Sequence, residues 1–147
     1  MRIDRRHFLA GSAALVGLAA TGTLTAAHAA ESLKIRDIYK TQDEFSQRAR
    51  DLQGQRIDIP GFMAPPLKAD ANFFVLTKMP MSVCPFCETS ADWPNDIVFV
   101  RMREKLDAVR FNRPILASGI LELGIAKDAD TGFVSMVRLV DATFEIV

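Results

Sequence analysis

From Gly54 onward the hydrophobic pattern of this 147-residue chain changes period, and that switch commits most of the chain to β-structure. Arg56-Ile57-Asp58-Ile59 alternates apolar and polar, then meets Pro60-Gly61, which predicts a strand with a bend or bulge. Phe73-Phe74-Val75-Leu76-Thr77 is a run of β-formers, and so is Ile97-Val98-Phe99-Val100-Arg101-Met102. Between them, Met79 to Asn95 is punctuated by Pro80, Pro85 and Pro94 and reads as an irregular excursion. Pro114 opens a further strand that runs to about Ala126. Asp128-Ala129-Asp130-Thr131-Gly132 has hairpin-turn chemistry, and Phe133 to Val147 returns as a last strand with a break near Asp141.

Before Gly54 the pattern is different. Glu31 to Lys40 reads as a lead-in arm. Thr41-Gln42-Asp43-Glu44 has the form of a capping box, in which the Thr41 hydroxyl bonds the third helical N–H and Glu44 reaches back. A helix is expected from about Gln42 to Leu52, with Phe45, Ala49 and Leu52 on its buried face. The expected fold class is mainly β: a small OB-like barrel of about five strands with an N-terminal helix. A five-stranded sandwich-like roll is the alternative.

The first residues have the pattern of an export signal. Arg5-Arg6 is followed after one residue by Phe8-Leu9, and an Ala/Leu/Gly-rich run extends to about Ala20. A basic start, an apolar middle and small residues at Ala27 and Ala29 describe a cleaved twin-arginine signal peptide. Residues 1–29 are then the leader, and 30–147 one exported, periplasmic domain of about 118 residues. The apolar run is too short and too rich in Gly and Ala to span a bilayer well, and no later segment is long or apolar enough to do so.

Export changes the charge and the available chemistry. The chain carries 18 Lys+Arg and 18 Asp+Glu; without Arg2, Arg5, Arg6 and Asp4 it has 15 against 17. A net charge near −2 with no basic block recommends neither nucleic acid nor an anionic membrane as partner. Both histidines, His7 and His28, lie in the leader. The exported domain therefore has no histidine relay, no histidine base and no mixed Cys/His zinc site within one chain. Ser82, Ser90, Ser118 and Ser135 have no histidine to activate them. Asp58, Asp70, Asp92 and Asp96 are scattered and read as solvated positions, and Trp93 beside Pro94 reads as loop packing. The twin-arginine route carries folded substrates, which is compatible with a cofactor loaded inside the cell and equally with fast folding.

The two cysteines form one motif, Cys84-Pro85-Phe86-Cys87, preceded by Met79 and Met81. Such a pair has three ordinary uses in an oxidising compartment. The first is metal. Zinc normally takes four ligands, so Cys84 and Cys87 need two more, from Glu88, Asp92, Asp96, a second chain or thioethers. Alternatively Met79, Met81, Cys84 and Cys87 gather four soft sulfurs in one segment, which suits copper(I); core filling at a strand end is the competing use of the methionines. The second is a structural Cys84–Cys87 disulfide pinning the loop, although so short a ring removes little unfolded-state entropy. The third is thiol–disulfide exchange. It needs a helix N-terminus under Cys84 and alternating strands and helices, neither of which the flanking sequence supplies. The function expected from the residues is thus a non-catalytic metal-binding or metal-trafficking protein using zinc or copper(I), with the structural disulfide module and the oxidoreductase as alternatives.

Several pieces, in order, carry a resemblance. They are Gly54-Gln55-Arg56-Ile57-Asp58-Ile59-Pro60-Gly61-Phe62-Met63-Ala64-Pro65, the Phe73-Phe74-Val75-Leu76 strand, a cysteine-bearing loop, Trp93-Pro94-Asn95-Asp96-Ile97-Val98-Phe99-Val100, and Pro114-Ile115-Leu116-Ala117-Ser118-Gly119. From about Gln53 to Val147 the chain resembles a family of short exported bacterial proteins classed as a domain of unknown function. The resemblance implies export, metal handling and a metal-uptake or envelope protein as partner. The family's loop carries a cysteine, sometimes with histidine, before a run of prolines. Here histidine is absent and the proline run is mostly missing.

Overall fold

The computed structural model describes residues 30–66, 70–83 and 94–147. A two-residue strand β1 (Glu31–Ser32) is followed by a 3-10 turn (Ile35–Asp37) and a short helix α1 (Gln47–Leu52). Five longer strands follow: β2 (Arg56–Met63), β3 (Phe73–Thr77), β4 (Ile97–Met102), β5 (Pro114–Lys127) and β6 (Val134–Ile146). The fold is mainly β, a six-stranded mixed sheet in the order β1-β2-β3-β4-β6-β5, with β2 also paired to β5. β1–β2 and β4–β6 are parallel and the other pairs antiparallel. No helix among the described residues is long and apolar enough to cross a membrane.

The pairings of the five long strands run in a circuit that returns to β2. Arg56 to Phe62 lie antiparallel to Ile120 to Pro114 of β5, while Phe62 and Met63 pair with Thr77 and Leu76 of β3. The expected bend at Pro60-Gly61 therefore does not end the strand; it marks where β2 passes from one partner to the other. Gly61 is required there. A Cβ on it would lie 2.7 Å from the Thr77 carbonyl oxygen of β3.

Alternation places Ile57, Ile59, Ile115, Ala117, Leu121, Val137 and Leu139 in one core with Phe74, Leu76, Val98 and Val100. β3 is buried on both faces, as are the first four residues of β4. Their second face holds Phe73, Val75, Ile97 and Phe99, and Phe99 stacks on Phe73 and Phe133 with ring centroids 5.1 and 5.4 Å away. Two-sided burial is why these strands read as continuous apolar runs rather than as alternation.

The N-terminal part corrects two expectations. The helix does not begin at the Thr41–Glu44 box. Its N-cap is Ser46, whose hydroxyl accepts from the Ala49 N–H at 3.1 Å. Thr41–Glu44 instead closes a turn, with the Lys40 N–H on the Glu44 carbonyl at 2.7 Å and a bridge between Tyr39 and Phe45. Tertiary pairing of Phe45 on Tyr39, centroids 5.1 Å apart, prevails over the local capping pattern. Nor is 31–40 merely an arm: Leu33, Ile35 and Ile38 are buried in the main core.

β6 bulges where the sequence suggested a break. Ser118 faces Thr143 and Ile120 faces Val140, so Asp141 and Ala142 together oppose Gly119. Asp141 takes a left-handed φ of 50°. Its carboxylate accepts from Arg103 Nε at 2.7 Å and Arg103 Nη2 at 2.8 Å, and from Arg56 Nη2 at 2.5 Å. Hydrogen bonding from Arg103 leads in holding its carboxyl at a pKa of about 2, below the ordinary 3.8. A depressed carboxyl pKa contributes stability that is complete above the ordinary value and lost as pH falls towards the folded one. Asp141→Asn keeps a side chain that tolerates this φ and removes the charge. The variant should melt a few degrees below wild type at pH 7, and the gap should close between about pH 4 and pH 2. Thermal melts across that range check this; a gap that does not change with pH contradicts it.

Candidate functional site

The connection between β3 and β4 carries all four sulfurs singled out in the sequence. Its base is fixed by the sheet. Thr77 pairs with Ile97, and the Lys78 N–H donates to the Asp96 carbonyl at 3.3 Å. Thr77 is buried, and its hydroxyl donates to the Met79 carbonyl at 2.7 Å, with the Phe62 carbonyl at 3.2 Å. The loop thus leaves the sheet in a fixed direction, set by a buried threonine at the end of an apolar strand.

Met79 is 65% exposed, so it is not core filling at the strand end; Met81 is partly exposed. Cys84 and Cys87 lie within residues 84–93, outside the described residues, together with Glu88, Asp92 and Trp93. Asp96 stands at the loop's other foot. Among the described residues, no three His, Cys, Asp or Glu side chains are grouped to hold a metal ion. Of the candidate ligands, Met79, Met81 and Asp96 are among the described residues.

Three of the scattered polar residues, Asp58, Ser118 and Ser135, have structural partners. Asp58 accepts a hydrogen bond from the Ser118 hydroxyl across the β2–β5 pair. Ser135 is buried and accepts from Arg138, which also bonds the Gly124 carbonyl at 2.7 Å and Glu122 at 3.1 Å. Arg101 fastens the β5–β6 turn through ion pairs to Asp128 and Asp130. Asp70 is exposed.

Two features escaped the sequence reading. One is the Arg56–Asp141–Arg103 cluster. The other is a pair of adjoining clefts of about 310 and 290 Å³ that share Arg36 and Lys78. Both join residues far apart in the chain, and neither leaves a periodic or spaced signal in the sequence.

No protein-family model matches this sequence, and no curated protein matches it. In fold the chain is similar to the crystal structure of a DUF3299 family protein from Pseudomonas aeruginosa. The match has a TM-score of 0.52 at 13% identity and covers 81% of this chain and 97% of that one. At that identity the likeness is one of fold. It is consistent with the resemblance to a domain-of-unknown-function family.

Proposed function

We propose that this protein is a periplasmic, non-catalytic metal-binding or metal-trafficking domain. Cys84 and Cys87 hold zinc or copper(I), assisted by the thioethers of Met79 and Met81. The observation that carries this reading is the mounting of the loop. Four soft donors within nine residues sit on a connection whose feet are fixed by Thr77, Lys78 and Asp96, and the first of them, Met79, is turned out of the core.

The strand circuit supports an OB-like barrel: five strands, Greek-key order, with the parallel closure between β4 and β6. In OB folds the face of the second and third strands takes nucleic acid. The corresponding strands here are β3 and β4, and Phe73 and Phe99 on that face are buried. A covered face and a net charge near −2 favour a role for the loop rather than for the sheet. Among the described residues no helix lies between successive strands β2 to β6, and the mixed sheet order gives less support to exchange chemistry of the thioredoxin kind than to a role for the loop as ligand.

The test is the metal content of reduced protein. The exported domain should retain about one Zn(II) or Cu(I) per one or two chains after dialysis, and Cys84→Ser/Cys87→Ser should retain none. Wild-type protein that holds no metal when reduced, with both thiols blocked as isolated, would establish the structural disulfide module instead.

A further inference from the structure

Two adjoining clefts lie beside the foot of the loop. The cleft of about 310 Å³ is walled by Ile35 of the 3-10 turn, Pro60 and Phe62 of β2, and Pro114 and Ile115 of β5. Among the described residues its charged side chains are Lys34, Arg36 and Lys78. Val147 also lines it, and no acidic side chain does so among the described residues. Among the described residues Lys34 and Lys78 make no ion pair, and Arg36 has one exposed contact, to Asp37 at 3.7 Å. Arg36 and Lys78 also line the adjoining polar cleft of about 290 Å³, with Tyr39, Thr41 and Asn95, and with Lys40 and Asp96 as its other charged members. Two cations thus stand at the border between an apolar slot and a polar one.

We infer that this pair of clefts binds a small amphipathic carboxylate, its hydrocarbon part in the apolar slot and its anionic head between Arg36 and Lys78. Three observations converge on this ligand class. The slot is of the size that small ligands use. Its walls are hydrocarbon and aromatic, which favours an apolar body. Among the described residues its rim carries three cationic side chains and no acidic one, which favours an anion over a cation or a neutral sugar. Asp96 stands on the polar side, so a singly charged head suits the border better than a multiply charged one.

Octanoate is the probe, titrated into the protein while amide shifts are followed by NMR. Binding with a Kd of about 0.1–1 mM is expected for about ten non-hydrogen atoms. The largest shifts should fall on Ile35, Phe62 and Ile115. Octanol, with the same tail and no charge, should bind at least fivefold more weakly, and acetate should produce no saturable shifts. Arg36→Gln/Lys78→Gln changes two surface side chains and should weaken octanoate at least fivefold without altering the melting temperature. Octanol binding as tightly as octanoate, or octanoate shifts that fall elsewhere, would overturn the assignment. The comparison of the two probes needs no variant and no metal, so it stands apart from the fate of the cysteine loop.

Discussion

Phe74→Ala should remove about 3–5 kcal/mol of stability, the range for emptying a fully buried phenylalanine site. Phe74 is 1% exposed, pairs with Val100 across β3–β4, and meets the Phe144 ring edge-on at 5.8 Å. It joins three of the five long strands, so the neighbours cannot close the void without moving the sheet. Domains of this size are stable by roughly 5–15 kcal/mol in total, so the variant keeps only a fraction of its stability. Urea unfolding measures the difference directly, provided the slope is unchanged. A loss below about 1 kcal/mol would mean that β3 is not a central strand.

Gly61→Ala is expected to cost about 3 kcal/mol, at the upper end for overpacking. The added methyl would meet a backbone carbonyl, that of Thr77, at 2.7 Å, and the Leu76 side chain at 3.0 Å. A backbone oxygen cannot rotate aside as a flexible side chain does, so β2 and β3 must separate where β2 changes partner. Gly54→Ala is the internal control. Gly54 has φ +79° and open space around it, so alanine there pays only the left-handed backbone penalty of about 1–2 kcal/mol. Equal losses at the two positions in urea titrations would contradict the close approach of β2 to β3.

Much of this fold is legible in the sequence wherever burial is two-sided or a turn is chemically marked. The spans Phe73–Thr77 and Ile97–Met102 coincide with the expected strands, because continuous β-branched and aromatic runs leave no competing helical period. Asp128 to Gly132 separates β5 from β6 as turn chemistry requires, and the irregularity near Asp141 emerges as a bulge. The helix shows the opposite lesson. Thr41–Glu44 has the residues of a capping box, yet Phe45 packs on Tyr39 and the cap moves to Ser46. The segment 31–40 reads as an arm because single apolar residues at Leu33, Ile35 and Ile38 show no sustained period, although each is buried. Circuit closure through β2–β5 depends on pairing between residues about 60 positions apart, which no local pattern encodes. For the candidate site, composition identified the sulfur-rich loop, and the structure added its fixed feet and the outward position of Met79. The cationic cleft brings together Lys34, Arg36 and Lys78 from the N-terminal turn and the end of β3, and only the tertiary fold makes them neighbours.

The reading of the loop stands on sulfur ligation, and X-ray absorption spectroscopy of the metal-loaded, reduced domain tests that most directly. The expected result is a first shell dominated by sulfur, near 2.3 Å for zinc, that disappears in Cys84→Ser/Cys87→Ser. A shell of oxygen and nitrogen alone would contradict the account and place any bound metal elsewhere on the molecule.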